Sequence, residues 1–560
     1  MTGPLTERIA LHLAPAGHPD GLVRALAADP GMLLVGAFGT AQQAQRIDGL
    51  LRDRGFGGSI EHIGRERPQD LARFGTLLHP GPDLARLAWR RLGLGERRYS
   101  LCGSVDGIAS HAAMEAVAGL PVAPLRSWDA LACSSRVLRD SVRTLLERQA
   151  DYLAARFGAQ RFELPQLPLM PPAVDCRALD AGAARRGEAR RRLELDADDV
   201  VFLSRSGSSC RDGGHPQQLF AALERAGQGG RRVCLLLCIE AAAADAQSAD
   251  DAAAGDAALR EAAAQLCPSV RLVLVNVPAG LQVDAQADAR RDALAAADVF
   301  VALAGGLQEE GGAAVLEAMA AGLPCVAGDW GGQRDMLRDG ADGYLVPTLM
   351  PAAGAGLDLA QRYDDGIDSY DAYCGHISQA VALDGALLAQ ACTRLAGDAH
   401  LRRQLGASGR ERARREFDWS VALPRWRSLW GELEERRRAD PVLAPALPPA
   451  PPDRLDPFAL LASHPGMQIT PMALVELAPD ASLALVRRYL ELAINRDAAQ
   501  SLPTPEEFGQ IFGSIGSRPM QVDELLDALG PCDRPMLLRG LAWLCRMDLL
   551  RIRAAEQENG

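Results

Sequence analysis

Residues 298–321 form three consecutive stretches: Asp298-Val-Phe-Val-Ala-Leu303, Ala304-Gly-Gly-Leu-Gln-Glu-Glu-Gly-Gly312 and Ala313-Ala-Val-Leu-Glu-Ala-Met-Ala-Ala321. The apolar first stretch predicts a buried strand, and the third predicts a helix. The glycine-rich stretch between them would present free N–H groups at the positive end of the helix dipole, which suits a diphosphate. Because ligands of doubly wound sheets bind at the carboxyl ends of strands, the segment predicts a phosphate site on an α/β fold.

Strand and helix patterns alternate on both sides of this segment. Residues 1–180 contain strand candidates that begin at Ile9, Met32 and Ala130, with helical patterns over 20–28 and 135–157. Residues 181–415 repeat the alternation, with strands that begin at Val200, Arg232, Val270, Val299 and Pro324. Such alternation predicts parallel sheets with right-handed crossovers, and hence two Rossmann-like domains.

The last part of the chain has a different pattern. A Pro/Ala-rich linker over 438–455 precedes residues 456–560, which contain helical runs from Leu483, Val522 and Arg534 and a strand-like end from Leu549. Short helices that end in a strand are typical of a winged helix, although small helical bundles have the same outline. Acids are interspersed with the arginines, so protein docking or self-association is expected here, and nucleic-acid binding is not.

Composition limits the function classes. The 560 residues carry a net charge of −12, which argues against general affinity for nucleic acids or anionic membranes. The sequence contains no lysine, so a site that needs a permanent cation must use arginine. The twelve cysteines are scattered, which favours buried reduced thiols over a zinc site. Neither a signal peptide nor a transmembrane segment is evident, and we expect a cytoplasmic protein.

The central segment resembles family 4 glycosyltransferases. Glu309 and Glu317 match the E-x7-E donor motif of that family, and Asp329-Trp-Gly-Gly-Gln-Arg-Asp335 matches its next strand and loop. In the family the first glutamate binds the donor sugar and the second binds the ribose of the nucleotide. The resemblance therefore implies those roles for Glu309 and Glu317, where an isolated Glu pair would be only a solvated helix start.

A second match lies upstream of the first. Phe202-Leu-Ser-Arg205, Arg211 and His215-Pro-Gln-Gln-Leu219 resemble the family's strand, loop and helix with two cations. These cations neutralise the donor diphosphate, and Arg211 stands where the family has Lys. Fixed cations and a helix N-terminus can stabilise the leaving diphosphate without a metal. The remaining residues of the predicted donor site are Gln308, Gly311, Gly312, Leu316 and His215.

Three places depart from the family pattern. Gly311 stands where an aromatic residue is usual, Gly305 and Gly306 stand where polar residues are common, and Asp106 replaces a cleft-facing histidine. Asp106 could orient the acceptor hydroxyl, or it could simply form a turn in Val-Asp-Gly. His111, a few residues further on, is expected to lie on a helix surface or in a satisfied core.

The resemblance implies an α/β fold of two Rossmann-like domains with a cleft between them (GT-B), closed by a helix over 416–437, plus the small C-terminal domain. The first hypothesis for function is retaining, metal-independent transfer of a sugar from a nucleotide-diphosphate sugar to a carbohydrate or protein acceptor. No cofactor beyond that co-substrate is implied. The alternative is a catalytically degenerate scaffold or regulatory partner of an active glycosyltransferase. A third possibility is another reaction of this fold, such as epimerisation or phosphorolysis.

Overall fold

A computed structural model describes residues 7–12, 20–180, 182–207, 216–240, 249–277, 283–303, 312–440, 451–516 and 518–553. The chain divides into two compact units, Met1–Ala450 and Pro451–Gly560.

The larger unit begins with a six-stranded parallel sheet. Its strands are β1 (Arg8–His12), β2 (Leu34–Gly39), β3 (Ser59–Gly64), β4 (Thr76–His79), β5 (Ser100–Val105) and β6 (Ala130–Cys133). Its helices are α1 (Asp20–Ala28), α2 (Ala41–Asp53), α3 (Leu84–Leu92), α4 (His111–Ala118) and α5 (Arg136–Phe157). The strand order is β3-β2-β1-β4-β5-β6, so the direction of winding reverses between β1 and β4.

A second six-stranded parallel sheet follows in the same unit. Its strands are β7 (Val200–Gly207), β8 (Val233–Glu240), β9 (Arg271–Val277), β10 (Val299–Ala302), β11 (Cys325–Gly328) and β12 (Gly343–Val346). Read from the other edge, its order is β9-β8-β7-β10-β11-β12, which is the order of the first sheet repeated. The reversal here lies between β7 and β10. The two sheets with their flanking helices confirm the predicted fold class of two Rossmann-like domains.

Helices cover the second sheet, and a two-stranded ribbon extends it. The helices are α6 (Gly182–Arg192), α7 (Gln217–Gly227), α8 (Ala249–Leu266), α9 (Val283–Ala296), α10 (Ala313–Ala321), α11 (Gln333–Met336), α12 (Leu357–Asp364), α13 (Tyr370–Ser378), α14 (Gly385–Gly397) and α15 (Ala399–Arg412). The ribbon pairs β13 (Thr348–Leu349) with β14 (Ala382–Leu383). Apolar side chains of α7 and α14 pack on one face of the sheet, and those of α9 and α10 pack on the other.

A long helix returns from the second domain to the first. It is α16 (Trp419–Ala439), which Asp418 caps by accepting a hydrogen bond from the Ser420 N–H. Apolar side chains of α16, among them Trp426 and Leu433, join the buried cluster of β1 and α1. Because this hydrophobic face is buried in the first domain, the end of the unit is held against its beginning.

Each Rossmann domain contains an aspartate just before a strand, fully buried in the first domain and partly buried in the second. Asp129 precedes β6, pairs with Arg91 through both carboxylate oxygens, and accepts the Leu101 N–H of the neighbouring strand. Asp298 precedes β10, pairs with Arg186 and Arg190, and accepts the Val201 N–H. Each aspartate therefore joins a helix to the starts of two strands.

Contacts between the described residues of the two Rossmann domains include a hydrogen-bonded ion pair and a contact between two rings. Asp335 of the second domain accepts hydrogen bonds from the Arg136 backbone N–H at 2.7 Å and from its Nε at 2.6 Å. Its carboxylate therefore lies at the N-terminus of α5, where the helix dipole favours negative charge. The second contact is between the rings of His111 and Tyr363, whose centroids are 3.9 Å apart. His111 thus packs against the opposite domain at the start of α4.

The smaller unit combines helices with a three-stranded antiparallel sheet. It contains α17 (Pro457–Leu460), β15 (Leu474–Leu477), α18 (Leu483–Glu491), α19 (Pro505–Ile515), β16 (Met520–Gln521), α20 (Val522–Leu529), α21 (Arg534–Arg546) and β17 (Leu550–Arg553). The strand order is β16-β15-β17, and Phe508, Trp543 and other apolar side chains fill one core. The predicted helices and terminal strand are present, while the winged-helix assignment stays a prediction.

Candidate active site

Arg205 and Glu317 of the second domain form an ion pair. Arg205 lies near the carboxyl end of β7, the strand at which the winding of the sheet reverses, and Glu317 lies in the second turn of α10. Both side chains are partly buried, at 17% and 28% exposure, so the pair is shielded from water but still reachable by a ligand. The sequence predicted separate roles for these two residues, and the structure brings them into contact.

Gly312 forms the entry to helix α10. It is the N-cap residue and has a φ of 69°, a left-handed conformation that a side chain disfavours. A Cβ atom at this position would lie 3.0 Å from Cγ of Met336 and 3.3 Å from the Gly332 backbone. Glycine is therefore required both by its dihedral angle and by the close approach of the loop before α11.

The other predicted donor residues divide into two groups. The Leu316 side chain is fully buried in the core beneath α10, so it does not face the cleft. Arg211, His215, Gln308, Glu309 and Gly311 lie outside the described residues, as do Gly305 and Gly306. Their assignments stay predictions.

Asp106 lies at the carboxyl end of β5 in the first domain, on the wall of the cleft. Its side chain is exposed to the cleft, and desolvation by the neighbouring protein raises the pKa of its carboxyl group. A carboxylate with a raised pKa is a stronger base than an ordinary one. Contact with an acceptor and a turn role both stay predictions for Asp106.

Asp106 and Glu317 face the same cavity between the two Rossmann domains. This cavity has a volume of about 600 Å³ and is also lined by Ala313 of α10 and by Ser104 and Ser134 from the ends of β5 and β6. The ends of strands from the first sheet thus face the start of α10. A molecule of sugar-nucleotide size would contact both domains at once.

Sequence reasoning missed several residues of the cavity. Ser134 is 4% exposed, and its Oγ has no hydrogen-bond partner within the described residues, which makes it available to a ligand. Arg290 and Arg291 of α9 also line the cavity, and Arg291 forms an ion pair with Asp288 of the same helix. Ser134 is the last residue of the predicted strand that begins at Ala130, a position that could have identified it. The arginines of α9 resemble any solvated helix face.

The described residues also bear on metal binding, on thiol chemistry and on whether a helix could span a membrane. No group of three or more His, Cys, Asp and Glu side chains within the described ranges could hold a metal ion. Nine of the described cysteines are buried, and burial raises the pKa of Cys234 to about 12. Of the helices that the structure describes, none is both long enough and apolar enough to cross a bilayer.

Residues 253–357 match the family of glycosyl transferases group 1. The matched range contains the strand, glycine loop and paired glutamates of the central segment. It confirms the predicted resemblance and, at the level of the family, the prediction of a glycosyltransferase enzyme. No curated protein matches the chain.

Solved structures with similar folds include three glycosyltransferase-related proteins. HepE of Anabaena, in complex with UDP and glucose, is 16% identical over 76% of this chain and 100% of its own, with a TM-score of 0.49. Sucrose-phosphate synthase of Thermosynechococcus elongatus is 17% identical over 76% and 98%, with a TM-score of 0.43. A glycosyltransferase of Rickettsia africae is 11% identical over 76% and 98%, with a TM-score of 0.46. Because these TM-scores are all below 0.5, the fold is assigned from the strand orders of this chain and not from the comparison.

Proposed function

We propose that the chain transfers a sugar from a nucleotide-diphosphate sugar to an acceptor hydroxyl, with retention of anomeric configuration and without a metal. The nucleotide sugar binds the second domain, and the acceptor, a carbohydrate or a protein side chain, binds the first. Arg205 and Arg211 contact the diphosphate and Glu317 contacts the ribose. Gln308 and Glu309 hold the sugar, with Gly311, Gly312, Leu316 and His215 shaping the surrounding loop and backbone.

The observation that carries the proposal is the Arg205–Glu317 pair beside the start of α10. Three features favour a nucleotide diphosphate at this place: a cation at the sheet reversal, a carboxylate that can accept ribose hydroxyls, and the N-terminus of a nine-residue helix. The leaving diphosphate gains negative charge as the glycosidic bond breaks. Fixed donors of this kind stabilise that charge with little reorganisation.

The transfer step breaks the bond between the anomeric carbon and the diphosphate oxygen and forms one to the acceptor oxygen. The electron pair of the broken bond stays on the diphosphate. The acceptor proton passes to a nearby base, for which Asp106 and the leaving phosphate oxygen are the candidates. Asp106 and Ser134 contact the acceptor hydroxyl from the first domain.

Binding and product analysis test this proposal. Calorimetry with UDP-, GDP- and ADP-sugars is expected to identify a donor, and Arg205→Ala and Glu317→Gln should each weaken its binding by about tenfold or more. Glu147→Gln, an exposed glutamate on α5, is the matched control. NMR of the product should show the anomeric configuration of the donor, and EDTA should leave the rate unchanged. Absence of binding to every nucleotide sugar would refute the proposal.

One observation favours the degenerate scaffold as a second candidate. Arg205 and Glu317 satisfy each other in the described structure, so a donor must displace or share that pair to bind both. A scaffold would bind nucleotide sugars weakly, show no turnover, and co-purify with a second subunit. Turnover of a nucleotide sugar by the isolated chain would exclude the scaffold and support the enzyme.

The smaller unit is proposed as a module for protein docking or self-association, with a winged-helix-like fold. Its exposed apolar side chains include Phe458, Leu460 and Ile494. We propose a cytoplasmic location, since the predominance of buried thiols suits a reducing compartment. Light scattering of the full chain and of a chain truncated after residue 450 tests self-association.

A further inference from the structure

A second cavity lies at the winding reversal of the first sheet. It has a volume of about 630 Å³ and lies at the carboxyl ends of β1 and β4, where His12 and His79 are the terminal residues. The Nδ1 atoms of these histidines are 2.9 Å apart, and their rings are stacked. Three arginines, Arg65, Arg86 and Arg90, complete the polar part of the wall, and we call this cavity the arginine pocket.

Among the described residues that line the arginine pocket, positive charges outnumber negative ones. Asp83 is the carboxylate of its lining, so three arginines and one aspartate leave two excess positive charges with neutral histidines. The Asp83 carboxylate is 3.3 Å from Nε2 of His79, and the hydrogen bond to His79 is the main cause that lowers the pKa of Asp83. Within the described ranges, neither Arg86 nor Arg90 forms an ion pair.

The arginines also act on one another. Burial lowers the pKa of Arg90, and the positive charges of Arg65 and Arg86 lower it further. Cζ of Arg90 lies 5.7 Å from the centroid of the Phe38 ring, so an aromatic face supports this side chain where a carboxylate would otherwise be expected. Grouped arginines without acidic partners repel each other, and a bound anion would relieve that repulsion.

The arginine pocket lies at the same place in the first sheet as the proposed donor site does in the second. Both sheets have the same strand order, and in both the reversal lies between the first and fourth strands of the sheet. In the second sheet this place carries Arg205, and in the first it carries the arginine pocket. Pro80 lines the arginine pocket and the interdomain cavity alike, so the two cavities are neighbours.

We propose that the arginine pocket binds a phosphate ester group of the acceptor. This inference rests on the proposed function and specifies the acceptor class for it. Guanidinium groups bind phosphate oxygens through paired hydrogen bonds, and Ala112 and Ala113 bring the first turn of α4 to the same wall. A group held here places the rest of the acceptor past Pro80, next to Asp106 and Ser134.

The lining of the pocket bears on which phosphate compounds it can bind. Its wall is formed by helices α3 and α4, the turn between β4 and α3, and the ends of three strands. The overall charge of −12 disfavours a polyanion, which favours a single ester group. The phosphate could belong to a soluble sugar phosphate or to a lipid headgroup. The chemistry of recognition is the same in both, and separate probes distinguish them.

Titration of the full chain with phosphate probes tests the inference. Calorimetry uses inorganic phosphate and glucose 6-phosphate, and co-sedimentation uses phosphatidylglycerol vesicles with phosphatidylcholine vesicles as reference. Arg86→Ala and Arg90→Ala should each weaken binding of the responding probe by about tenfold or more. Arg148→Ala, which removes the same charge from an exposed site on α5, should leave it unchanged. Melting curves confirm that the variants fold, and Arg86 is exposed enough to be replaced without loss of packing.

The donor variants separate this inference from the proposed function. Phosphate binding in the arginine pocket should survive Arg205→Ala, whereas nucleotide binding should survive Arg86→Ala. If no probe binds, or if Arg148→Ala weakens binding as much as Arg86→Ala does, the inference is wrong even where a nucleotide sugar binds. If phosphate binds as expected but no nucleotide sugar does, the inference about the arginine pocket is supported and the proposed donor site is wrong.

Discussion

The two Rossmann domains share one strand order but place different chemistry at their strand ends. The second domain has a glycine at a left-handed helix entry, and a single arginine contacts a glutamate of that helix. The first domain has an aspartate with a raised pKa, a group of arginines, and a serine hydroxyl that has no hydrogen-bond partner among the described residues. The same strand order therefore carries one arginine beside a helix start in the second domain and several arginines beside a helix start in the first.

The largest expected effect separates the roles of the two domains in the reaction. Asp106→Asn should lower the transfer rate by about 10²- to 10⁴-fold while nucleotide binding stays unchanged, because the amide cannot accept the acceptor proton as a base. Glu317→Gln should instead raise the Kd for the nucleotide. Steady-state kinetics and calorimetry on both variants measure this. Equal loss of nucleotide binding in the two variants would contradict the assignment of nucleotide binding to the second domain and proton acceptance to the first.

The next effect concerns the aspartate that joins a helix to two strand starts in each domain. Asp129→Asn should reduce the free energy of unfolding by about 3–5 kcal/mol, because it leaves the fully buried Arg91 charge without its partner. Asp298→Asn should cost less, since Asp298 is 15% exposed and one of its partners, Arg186, is 37% exposed to water. Urea unfolding followed by circular dichroism compares them. A larger loss for Asp298→Asn would contradict the ranking by burial.

A smaller effect is expected at the contact between the domains. Asp335→Asn weakens both hydrogen bonds to Arg136 but should change stability by less than about 1 kcal/mol, because the Arg136 side chain is 64% exposed. Its main consequence should be a wider distribution of distances between the domains. Electron-spin distance measurements between labels on α5 and α12 would detect it. The exposed pair Arg143 and Asp140 provides the control, through Asp140→Asn.

The smallest effect is a gain of stability at Asp106. Since its folded-state pKa is raised, the ionised carboxylate destabilises the folded protein. This penalty is absent below the unfolded pKa of about 3.9, grows as the pH rises from there to the folded pKa, and is complete above it. Asp106→Asn should therefore raise the Tm at pH 7 and leave it unchanged at pH 3. A Tm difference of the same size at both values would show that the gain comes from packing.

Much of the second domain could be predicted from its sequence, for reasons of local chemistry. Helix α10 was predicted over its full observed length, because alanines and a leucine between two glycines define a helix and both of its ends. The resemblance to glycosyltransferases was also found there. What the sequence could not indicate is the Arg205–Glu317 contact, since 112 residues separate the partners.

The first domain was harder to predict. Strands β3, β4 and β5 were not among its predicted strands, because Ser59–Gly64 mixes charged and apolar residues and Thr76–His79 has only four residues. The arginine pocket draws on four separate segments of the chain, and each arginine alone has the pattern of a solvated surface. Only the strand order brings them together.

Pro80, which belongs to the walls of both cavities, has a consequence for regiochemistry. If one end of the acceptor is anchored by its phosphate on one side of this residue, the hydroxyl that reaches the anomeric carbon is chosen by its separation from that anchor. The position of the new glycosidic bond would then be set by the distance across Pro80 between the bound phosphate and the reacting hydroxyl. Acceptors of different length would be glycosylated at different carbons.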